Sequence, residues 1–255
     1  VSAHLTTTQV TGSSPIHFRL DGREAKELMF QKTDNGISIQ VSLSGYSFKV
    51  TDETGTKETG WLSADKIFTT KEFQKRYESV KISLLTPKFT LVPDQFFDAT
   101  SIKEELGEVT KLNPDDNVEF VRIPEYGAVL VFSNTLGETL SRTIAQTVFT
   151  LDGYQARILP EMYHMIYALE ECTEYNKILA SYADGYLYLL IAQGKSLLLA
   201  NAFRAPDFTT AEYFIFLSMR KLQLNPEVSS ICFRTPVSQE EEMSLYRYFK
   251  AVEHI

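Results

Sequence analysis

Alternation of apolar and polar residues near the start of the chain predicts a pair of strands joined by a tight turn. Residues 37–50, ISIQVSLSGYSFKV, alternate on either side of Ser44 and Gly45, as a half-buried β-hairpin does. A third strand is predicted at 60–62. The segment KEFQKRY, which follows the polar start at Thr70, predicts a helix.

The same alternation returns in the second half of the chain, from Lys177 onward. The segments KILASYA, YLYLLIAQ and SLLLANAF are separated by the turn residues Asp184-Gly185 and Gly194-Lys195. Apolar runs of this length between such turns predict a meander of three strands.

The remaining pattern alternates between strand-like and helix-like segments. Further strands are predicted at 88–92, 127–132, 155–159 and 228–233. Further helices are predicted at 93–106, 135–146, 161–171, 209–222 and 243–252, and a surface loop at 103–119. Two capping-box signatures, Thr209 with Glu212 and Ser238 with Glu241, are placed at the starts of the last two helices.

One predicted helix differs from the others because its apolar residues lie almost all the way round. Pro160 introduces this segment, EMYHMIYALEE, and the distribution predicts burial on several sides. We therefore expect it to cross between two folding units. His164 in this helix is predicted to be a satisfied core histidine rather than a catalytic acid or base, since no partner is identifiable in the sequence.

The two turn regions match each other when they are superposed. The segment 44–48, SGYSF, lies over 184–188, DGYLY, at an offset of 140 residues. In each copy the strands are followed by helix, strand and helix, which indicates duplication of one supersecondary unit.

Composition narrows the classes of protein that the chain can represent. At 255 residues, one large folding unit or two of about 100 to 150 residues are plausible, and we work with two; 44% hydrophobic with 23% charged residues is typical of globular domains. A net charge of −8 and a pI near 5.1 disfavour nucleic acid and anionic membrane surfaces as partners. The longest apolar run, 186–192, is far shorter than the roughly 20 residues of a membrane span. Residues 1–8 lack the features of a secretory signal, which predicts a cytoplasmic protein.

The cysteines and one glycine-lysine pair predict no chemistry. Cys172 and Cys232 stand alone, with neither a CxxC pair nor a histidine at metal-ligand spacing, so we expect two buried thiols and no metal site. Gly194-Lys195-Ser196 imitates the end of a phosphate-binding P-loop, but Leu189 stands where the first glycine belongs and a strand follows. A hairpin turn is the better interpretation.

A strand meander followed by helix, strand and helix, occurring twice with an apolar crossing helix between, resembles the fold of actin, sugar kinases and the large chaperone ATPases. Residues 178–222 are especially similar to the second phosphate loop of actin-like proteins and the elements after it. The segments TTAEYFIFLSMRKLQL, VSSICF and SLYRYF further resemble an uncharacterised bacterial family with this fold. The resemblance implies an α/β, two-lobed, ribonuclease H-like protein with lobes at 1–160 and 161–255.

The resemblance also implies a nucleotide between the lobes, held by two Asp-containing β-turns and by a Gly-Gly turn that passes the adenine. Backbone N–H groups and small residues at such turns approach phosphate oxygens, and carboxylates organise Mg²⁺. In the first turn, Val41 and Leu43 replace the expected Asp and Gly. In the second, Ser181 and Ala183 do so.

The third landmark also departs from the family pattern. After the strand at 228–233 the chain continues Arg234-Thr235-Pro236, and Gly194 is its last glycine, so no adenine-passing pair can follow. Ser44, Gly45, Asp184 and Gly185 remain as vestigial phosphate-loop positions.

We therefore assign no catalytic residue, no metal ligand and no cofactor from the sequence, ATP with Mg²⁺ being possible but unsupported by the motifs. The leading hypothesis is a non-catalytic interaction or scaffold protein with an unknown protein partner. The alternative is a divergent ATP-binding ATPase or small-molecule kinase whose carboxylates come from Asp184 or Asp207. A third hypothesis is an accidental repeat in some other α/β fold.

Overall fold

The computed structural model describes residues 35–255, apart from the side chains of residues 68, 138–139 and 145–147. Residues 1–34, with His4, His17 and the beginning of the predicted N-terminal lobe, lie outside the described residues. The strands in the described part are β1 (Gly36–Val41), β2 (Gly45–Asp52), β3 (Gly55–Glu58), β4 (Leu62–Ser63), β5 (Arg76–Tyr77), β6 (Ser79–Leu84), β7 (Phe89–Pro93), β8 (Asn117–Ile123), β9 (Ala128–Asn134), β10 (Phe149–Thr150), β11 (Ile158–Pro160), β12 (Asn176–Ala183), β13 (Tyr186–Gln193), β14 (Ser196–Arg204), β15 (Ser230–Phe233) and β16 (Ala251–His254). The helices there are α1 (Ile102–Val109), α2 (Gly137–Thr147), α3 (Glu161–Ala168), α4 (Phe208–Lys221) and α5 (Gln239–Leu245).

A six-stranded mixed sheet occupies the first part of the described chain. Its strand order is β11-β6-β1-β2-β3, and β4 also pairs with β2. β1 is antiparallel to β2 and parallel to β6, and β6 is parallel to β11. Ile37, Ile39 and Val41 of β1 are buried while the residues between them are half-buried, which is the alternation that the sequence displays.

A five-stranded sheet in the second part repeats this topology. Its order is β14-β13-β12-β15-β16, with β12 antiparallel to β13 and parallel to β15, and β15 parallel to β16. In both sheets an antiparallel meander is therefore extended by two parallel strands on the side of its first strand. Parallel strands need crossover connections, which α4 and α5 provide here. The predicted meander is confirmed.

A third sheet of three antiparallel strands, in the order β7-β9-β8, carries a small core of its own. Leu106 of α1 packs with Val129 and Val131 of β9 in this core. The unit occupies the stretch of chain between β6 and α2. It is therefore an insertion between β6 and β11, two neighbouring strands of the six-stranded sheet.

Helix α3 connects the six-stranded sheet to the five-stranded sheet. Seven of its eight residues are buried, and it packs against β6 and β11 of one sheet and β13 of the other. The predicted burial on several sides is confirmed. Pro160 precedes the helix and ends β11, because proline is tolerated at a helix start but donates no hydrogen bond to a sheet.

The N-terminus of α4 is capped by a residue other than the predicted one. Asp207 accepts a hydrogen bond from the backbone N–H of Thr210 at 2.7 Å, so the predicted capping box of Thr209 and Glu212 is wrong. The capping box of Ser238 and Glu241 at α5 is confirmed, with both reciprocal bonds present.

The structure corrects three other predictions of elements. The segment KEFQKRY forms the 3₁₀ turn Lys71–Gln74 followed by β5, and β6, which the sequence analysis missed, lies between β1 and β11. The predicted loop at 103–119 contains α1 and the start of β8. The last predicted helix ends at Leu245, and its final residues belong to β16, which pairs with β15. In the first and third cases pairing with a distant strand overrides local helix propensity, whereas α1 forms where a loop was predicted because Leu106 packs on β9.

No helix within residues 35–255 combines the length and the apolar character needed to cross a membrane.

Candidate functional site

The two turns that were aligned by sequence meet each other between the sheets. The β1–β2 turn holds Ser44, and the β12–β13 turn holds Asp184 and Gly185. Asp184 and Gly185 have φ angles of 50° and 73°, the left-handed pair that a two-residue type I′ hairpin requires. The Ser44 Oγ atom donates a hydrogen bond to Oδ1 of Asp184 at 2.6 Å. These positions are separated by 140 residues, the offset of the sequence repeat.

All hydrogen-bonding capacity of the Ser44 hydroxyl is in use. Because its single proton goes to Asp184, the 3.0 Å contact with Ser42 Oγ requires Ser42 to be the donor. The indole Nε1 of Trp61 donates to the same oxygen at 3.2 Å. A hydroxyl has one proton and two acceptor lone pairs, so Ser44 has no group left for a further ligand in this arrangement.

Gly45 allows another strand to approach the first turn closely. A Cβ atom at this position would lie 2.0 Å from the backbone oxygen of Leu62 and 2.9 Å from Nε1 of Trp61. Gly45 pairs with Ser63 of β4, and this pairing places Trp61 beside Ser44. Glycine is therefore required here for close packing of two backbones, independently of any phosphate.

A buried ion pair lies deeper between the sheets. Glu161, the first residue of α3, has no exposed surface, and its Oε1 atom accepts a hydrogen bond from Nε of Arg234 at 3.0 Å. The hydroxyl of Ser83 on β6 donates a very short hydrogen bond to the other carboxylate oxygen. Three elements that are distant in sequence thus converge on one carboxylate.

The environment of Glu161 keeps it ionised. Burial opposes the charge, but the guanidinium of Arg234 and the hydroxyl of Ser83 outweigh it and lower the pKa of Glu161 to about 2. Its place in the first turn of α3 also favours negative charge, because the backbone N–H groups there are unpaired.

His164 lies one turn further along α3 and is neutral. Its Nε2 atom is 3.3 Å from the carbonyl oxygen of Ile82, and since a carbonyl only accepts, Nε2 carries the proton. Burial and the charge of Arg234 outweigh the nearby Glu161 and lower the pKa of His164 to about 4. The prediction of a satisfied core histidine is confirmed. Burial and Arg234 likewise lower the pKa of Lys81.

The residues that replace the family's expected Asp and Gly occupy unequal environments. Val41 and Ser181 are fully buried at the bases of the two turns, whereas Leu43 is 63% exposed at the tip of the first. Ser181 pairs across the hairpin with Tyr188, and in the described residues neither buried hydroxyl has a hydrogen-bond partner.

The segment Arg234-Thr235-Pro236, where the family pattern has its Gly-Gly turn, is joined to the five-stranded sheet by hydrogen bonds to the backbone of β12. The N–H of Arg234 donates to the carbonyl of Ala180 at 3.0 Å, and Oγ1 of Thr235 accepts from the N–H of Tyr182 at 2.8 Å. Thr235 is buried, so this segment closes the end of β12.

The structure thus brings Ser44 and Asp184 together and places Asp207 at the start of α4 as a cap. Sequence reasoning missed Glu161 and Arg234. A glutamate in a helix that is otherwise apolar all round was the available signal, since a buried carboxylate requires a partner.

Neither a metal cluster nor a disulfide is found in the described part of the chain. No three His, Cys, Asp or Glu side chains in residues 35–255 lie together as a metal site. Cys172 and Cys232 are free and buried, as predicted. The interaction between the two neighbouring thiols lowers the pKa of Cys172 and, together with burial, raises that of Cys232.

Comparisons with known proteins agree with this fold. A family model described as "Protein of unknown function (DUF3822)" matches residues 17–252, and no curated protein matches the chain. A Bacteroides thetaiotaomicron protein with actin-like ATPase fold and unknown function aligns at 13% identity with a TM-score of 0.62, over 88% of this chain and 92% of that chain. This likeness shows the fold: the actin-like ATPase fold that the sequence predicted.

Two more distant structures also align. One is the PilM-PilN type IV pilus biogenesis complex, at 11% identity and a TM-score of 0.47, over 86% of this chain and 88% of that chain. The other is the ethanolamine utilization protein EutJ from Carboxydothermus hydrogenoformans, at 7% identity and a TM-score of 0.37, over 90% and 89%. Neither likeness is close enough to support an argument.

Proposed function

The chain belongs to the DUF3822 family of proteins of unknown function, and from that premise we propose that it is a non-catalytic interaction protein that uses the two-lobed actin-like frame as a scaffold. The observation that carries the proposal is the direct hydrogen bond from Ser44 to Asp184. In the fold family the equivalent turns hold a triphosphate between them. In this chain the two turns are hydrogen-bonded to each other instead.

The residues at the cleft do not fit a nucleotide with Mg²⁺. Phosphate binding by such turns needs free backbone N–H groups and small residues, and metal binding needs free carboxylates. The first turn carries Leu43 at its tip, and the Ser44 hydroxyl is saturated. Of the nearby carboxylates, Glu161 is ionised and paired with Arg234, and Asp184 accepts a hydrogen bond from Ser44.

The internal contacts support a frame that holds its two halves in one arrangement. Ser44–Asp184 joins them at the exposed mouth of the cleft, and in the interior Glu161 joins them by binding both Ser83 of the six-stranded sheet and Arg234. A fixed arrangement of two sheets presents a constant surface to a partner, whereas a hydrolytic cycle requires the cleft to open and close. The matching strand orders further support an origin by duplication of one unit.

The proposal is tested first with ATP and Mg²⁺. Trp61 is the only tryptophan of the chain and touches Ser44, so its fluorescence reports directly on the cleft. We expect neither a change in Trp61 emission nor a shift in melting temperature at about 1 mM nucleotide, a concentration that detects affinities of about −4 kcal/mol.

The opposite result would favour the alternative, a divergent ATPase or small-molecule kinase. A ligand at 100 times its Kd adds about 2.7 kcal/mol to the stability of the folded state, which raises the melting temperature clearly. Phosphate release that Asp184→Asn abolishes and the matched Asp207→Asn retains would reject the scaffold proposal. The matched variant is informative because Asp207 caps α4.

The second arm tests the interaction itself. Chemical cross-linking in an extract of the native cells is compared with and without added ATP. Recovery of the same partner in equal amounts under both conditions supports the proposal. A partner recovered only with ATP would show that nucleotide controls the frame, contrary to it.

A further inference from the structure

A long groove lies between the inserted three-stranded sheet and the five-stranded sheet, away from the two turns. Its volume is about 1070 Å³, and residues of β7 and of β14 line it. Neither Ser44 nor Asp184 lines it. Both strands are outermost in their sheets, so each presents a backbone edge.

The alternation of hydrogen bonds between β14 and β13 shows which backbone groups of β14 face away from the sheet. The N–H of Ala205 donates to the carbonyl of Gly185 at 2.8 Å, and in an antiparallel pair bonded residues alternate with unbonded ones. Leu199, Asn201 and Phe203 therefore bond to β13, and Ala200 and Ala202 direct their backbone groups away from the sheet.

One of these outward donors is already satisfied by a side chain. The N–H of Ala202 donates to Oδ1 of Asn201 at 2.9 Å. The N–H and C=O of Ala200 and the C=O of Ala202 remain on the groove, and no strand in residues 35–255 pairs with this edge. An unpaired edge of this kind is a template for a further strand.

Strand β7, which also lines the groove, likewise has backbone groups that face away from its sheet, over fewer residues. Two hydrogen bonds show which residues of β7 face β9. The N–H of Asp94 donates to the carbonyl of Gly127, and the N–H of Ser133 donates to the carbonyl of Lys88. By alternation, Phe89 and Leu91 direct their backbone groups outward. Pro93 has no N–H to offer, so β7 ends as an acceptor edge.

We propose that this groove is a docking site for one extended peptide segment of a partner protein, which adds to the free edge of β14 with its other side toward β7. The site rests on the proposed interaction role and names the class of partner for it. Strand addition draws its affinity from main-chain hydrogen bonds and its specificity from alternate side chains.

The surroundings of the edge suit a peptide rather than a folded domain. The volume is close to the roughly 300–1,000 Å³ of pockets that hold drug-sized ligands, which admits a strand but no second sheet. Ala200, Ala202 and Ala128 are small enough to let another backbone approach, and Leu91 and Val109 provide apolar contacts.

Charge distinguishes the two ends of the segment. Lys195 stands exposed at the turn before β14, and within the described residues its ammonium makes no ion pair. An extended segment with a carboxylate at that end is the complementary partner, because exposed charge of this kind steers and orients association.

The test uses a library of random linear ten-residue peptides displayed on phage, selected against the full chain and followed by synthesis of the selected sequences. Binding is measured by fluorescence anisotropy. We expect Kd values below about 100 µM, weakened at least tenfold by Ala200→Pro, which removes the outward N–H. Methylation of alternate peptide amides abolishes binding in one register and leaves it unchanged in the other, because only every second amide faces β14.

Hydrogen exchange provides a readout that does not depend on a variant. On peptide binding the amide of Ala200 gains at least tenfold protection, while those of Leu199 and Asn201, already bonded to β13, stay unchanged. If Ala200→Pro fails to fold, this pattern and the methylation scan decide the question.

Three outcomes would overturn the docking site: no selected binder, binders insensitive to both Ala200→Pro and amide methylation, or a dimer of the chain that Ala200→Pro dissociates. The last would assign the groove to a second copy. Failure here with no ATP binding leaves the scaffold role intact with its partner elsewhere, whereas ATP turnover together with edge-dependent peptide binding rejects the non-catalytic role alone.

Discussion

Glu161 and Arg234 show how one buried charge depends on a distant residue. The carboxylate is fully buried, and the Arg234 side chain is 21% exposed. Removing one partner of a buried pair leaves the other charge without compensation in a medium of low polarity. The pair therefore constrains the cleft more than an exposed ion pair could.

We expect Arg234→Met to lower the free energy of unfolding by about 3–5 kcal/mol at neutral pH. The matched control is Lys49→Met, which removes an exposed pair with Glu58 at 3.0 Å and should cost less than about 1 kcal/mol. Urea denaturation measures both, and Glu161→Gln in the Arg234→Met background should recover part of the loss. Equal losses in Arg234→Met and Lys49→Met would contradict a structural role for the buried pair.

The acid stability of the protein should reflect His164. The pKa of its buried ring is about 4, whereas the ordinary value is 6.5, so between these pH values the unfolded chain binds a proton that the folded chain does not. The free energy of unfolding therefore falls as pH decreases from 6.5 to 4, by on the order of 3 kcal/mol at most.

The variant His164→Gln should remove this loss, while His254→Gln, at an exposed histidine, should keep it. Denaturant titrations at several pH values across the window test the difference. A separate loss belongs to Glu161, whose pKa is lowered to about 2 from 4.5: its contribution is complete above 4.5 and disappears as pH falls toward 2. Both histidine variants should retain that second loss.

At the scale of elements, short contacts between backbones decide what the turns can do. Gly45 is needed because β4 passes directly over it, and Gly185 because the second turn has a left-handed backbone. From the sequence both glycines were predicted to be vestigial phosphate-loop positions. The structure supplies each with a different packing or conformational reason.

We expect Gly45→Ala to displace β4 and to lower the free energy of unfolding by about 1–3 kcal/mol, as overpacking does. Emission from Trp61 should shift to longer wavelength because the indole loses its place beside Ser44. Gly60→Ala is the matched control: nothing lies within 4 Å of its added Cβ, and its stability should stay within about 0.5 kcal/mol of the parent. A silent Gly45→Ala variant would mean that β4 adapts without strain.

At the scale of the whole molecule, two sheets with the same strand order are joined by a buried helix and by two polar contacts. The outer contact joins Ser44 and Asp184, the residues that the sequence comparison aligned, so the two aligned turns touch at corresponding positions. In the inner contact Glu161 binds both Ser83 and Arg234, and its carboxylate is fully buried. The outer contact is exposed and can be removed without disturbing the backbone.

We expect Ser44→Ala to cost about 1–3 kcal/mol of stability, because it removes the hydroxyl that binds Asp184, Ser42 and Trp61, and to make Trp61 more accessible to a fluorescence quencher. Ser47→Ala on the same hairpin removes only a local bond to Gln40 at 3.5 Å and serves as the control. Similar quenching in both variants would show that the Ser44–Asp184 bond does not hold the turns together.

Patterns that repeat every few residues were enough to predict much of the molecule. Alternation predicted the β12–β14 meander, the turn residues predicted the bend at Asp184-Gly185, and apolar residues on all sides of the helix predicted a buried α3. Each of these features depends on neighbours in sequence, because side-chain period and turn chemistry are local properties.

Contacts between distant segments were decided only in the tertiary structure. β6 and β16 exist because other strands pair with them, and Arg234 was found beside Glu161 only through the return of β15 to the sheet. A sequence pattern indicates which face of an element is apolar. It does not indicate which distant residues will contact that face, or which will contact a polar residue that lies on it. The contacts in the cleft of this protein join residues that are distant in sequence, and so only the tertiary structure decides its chemistry.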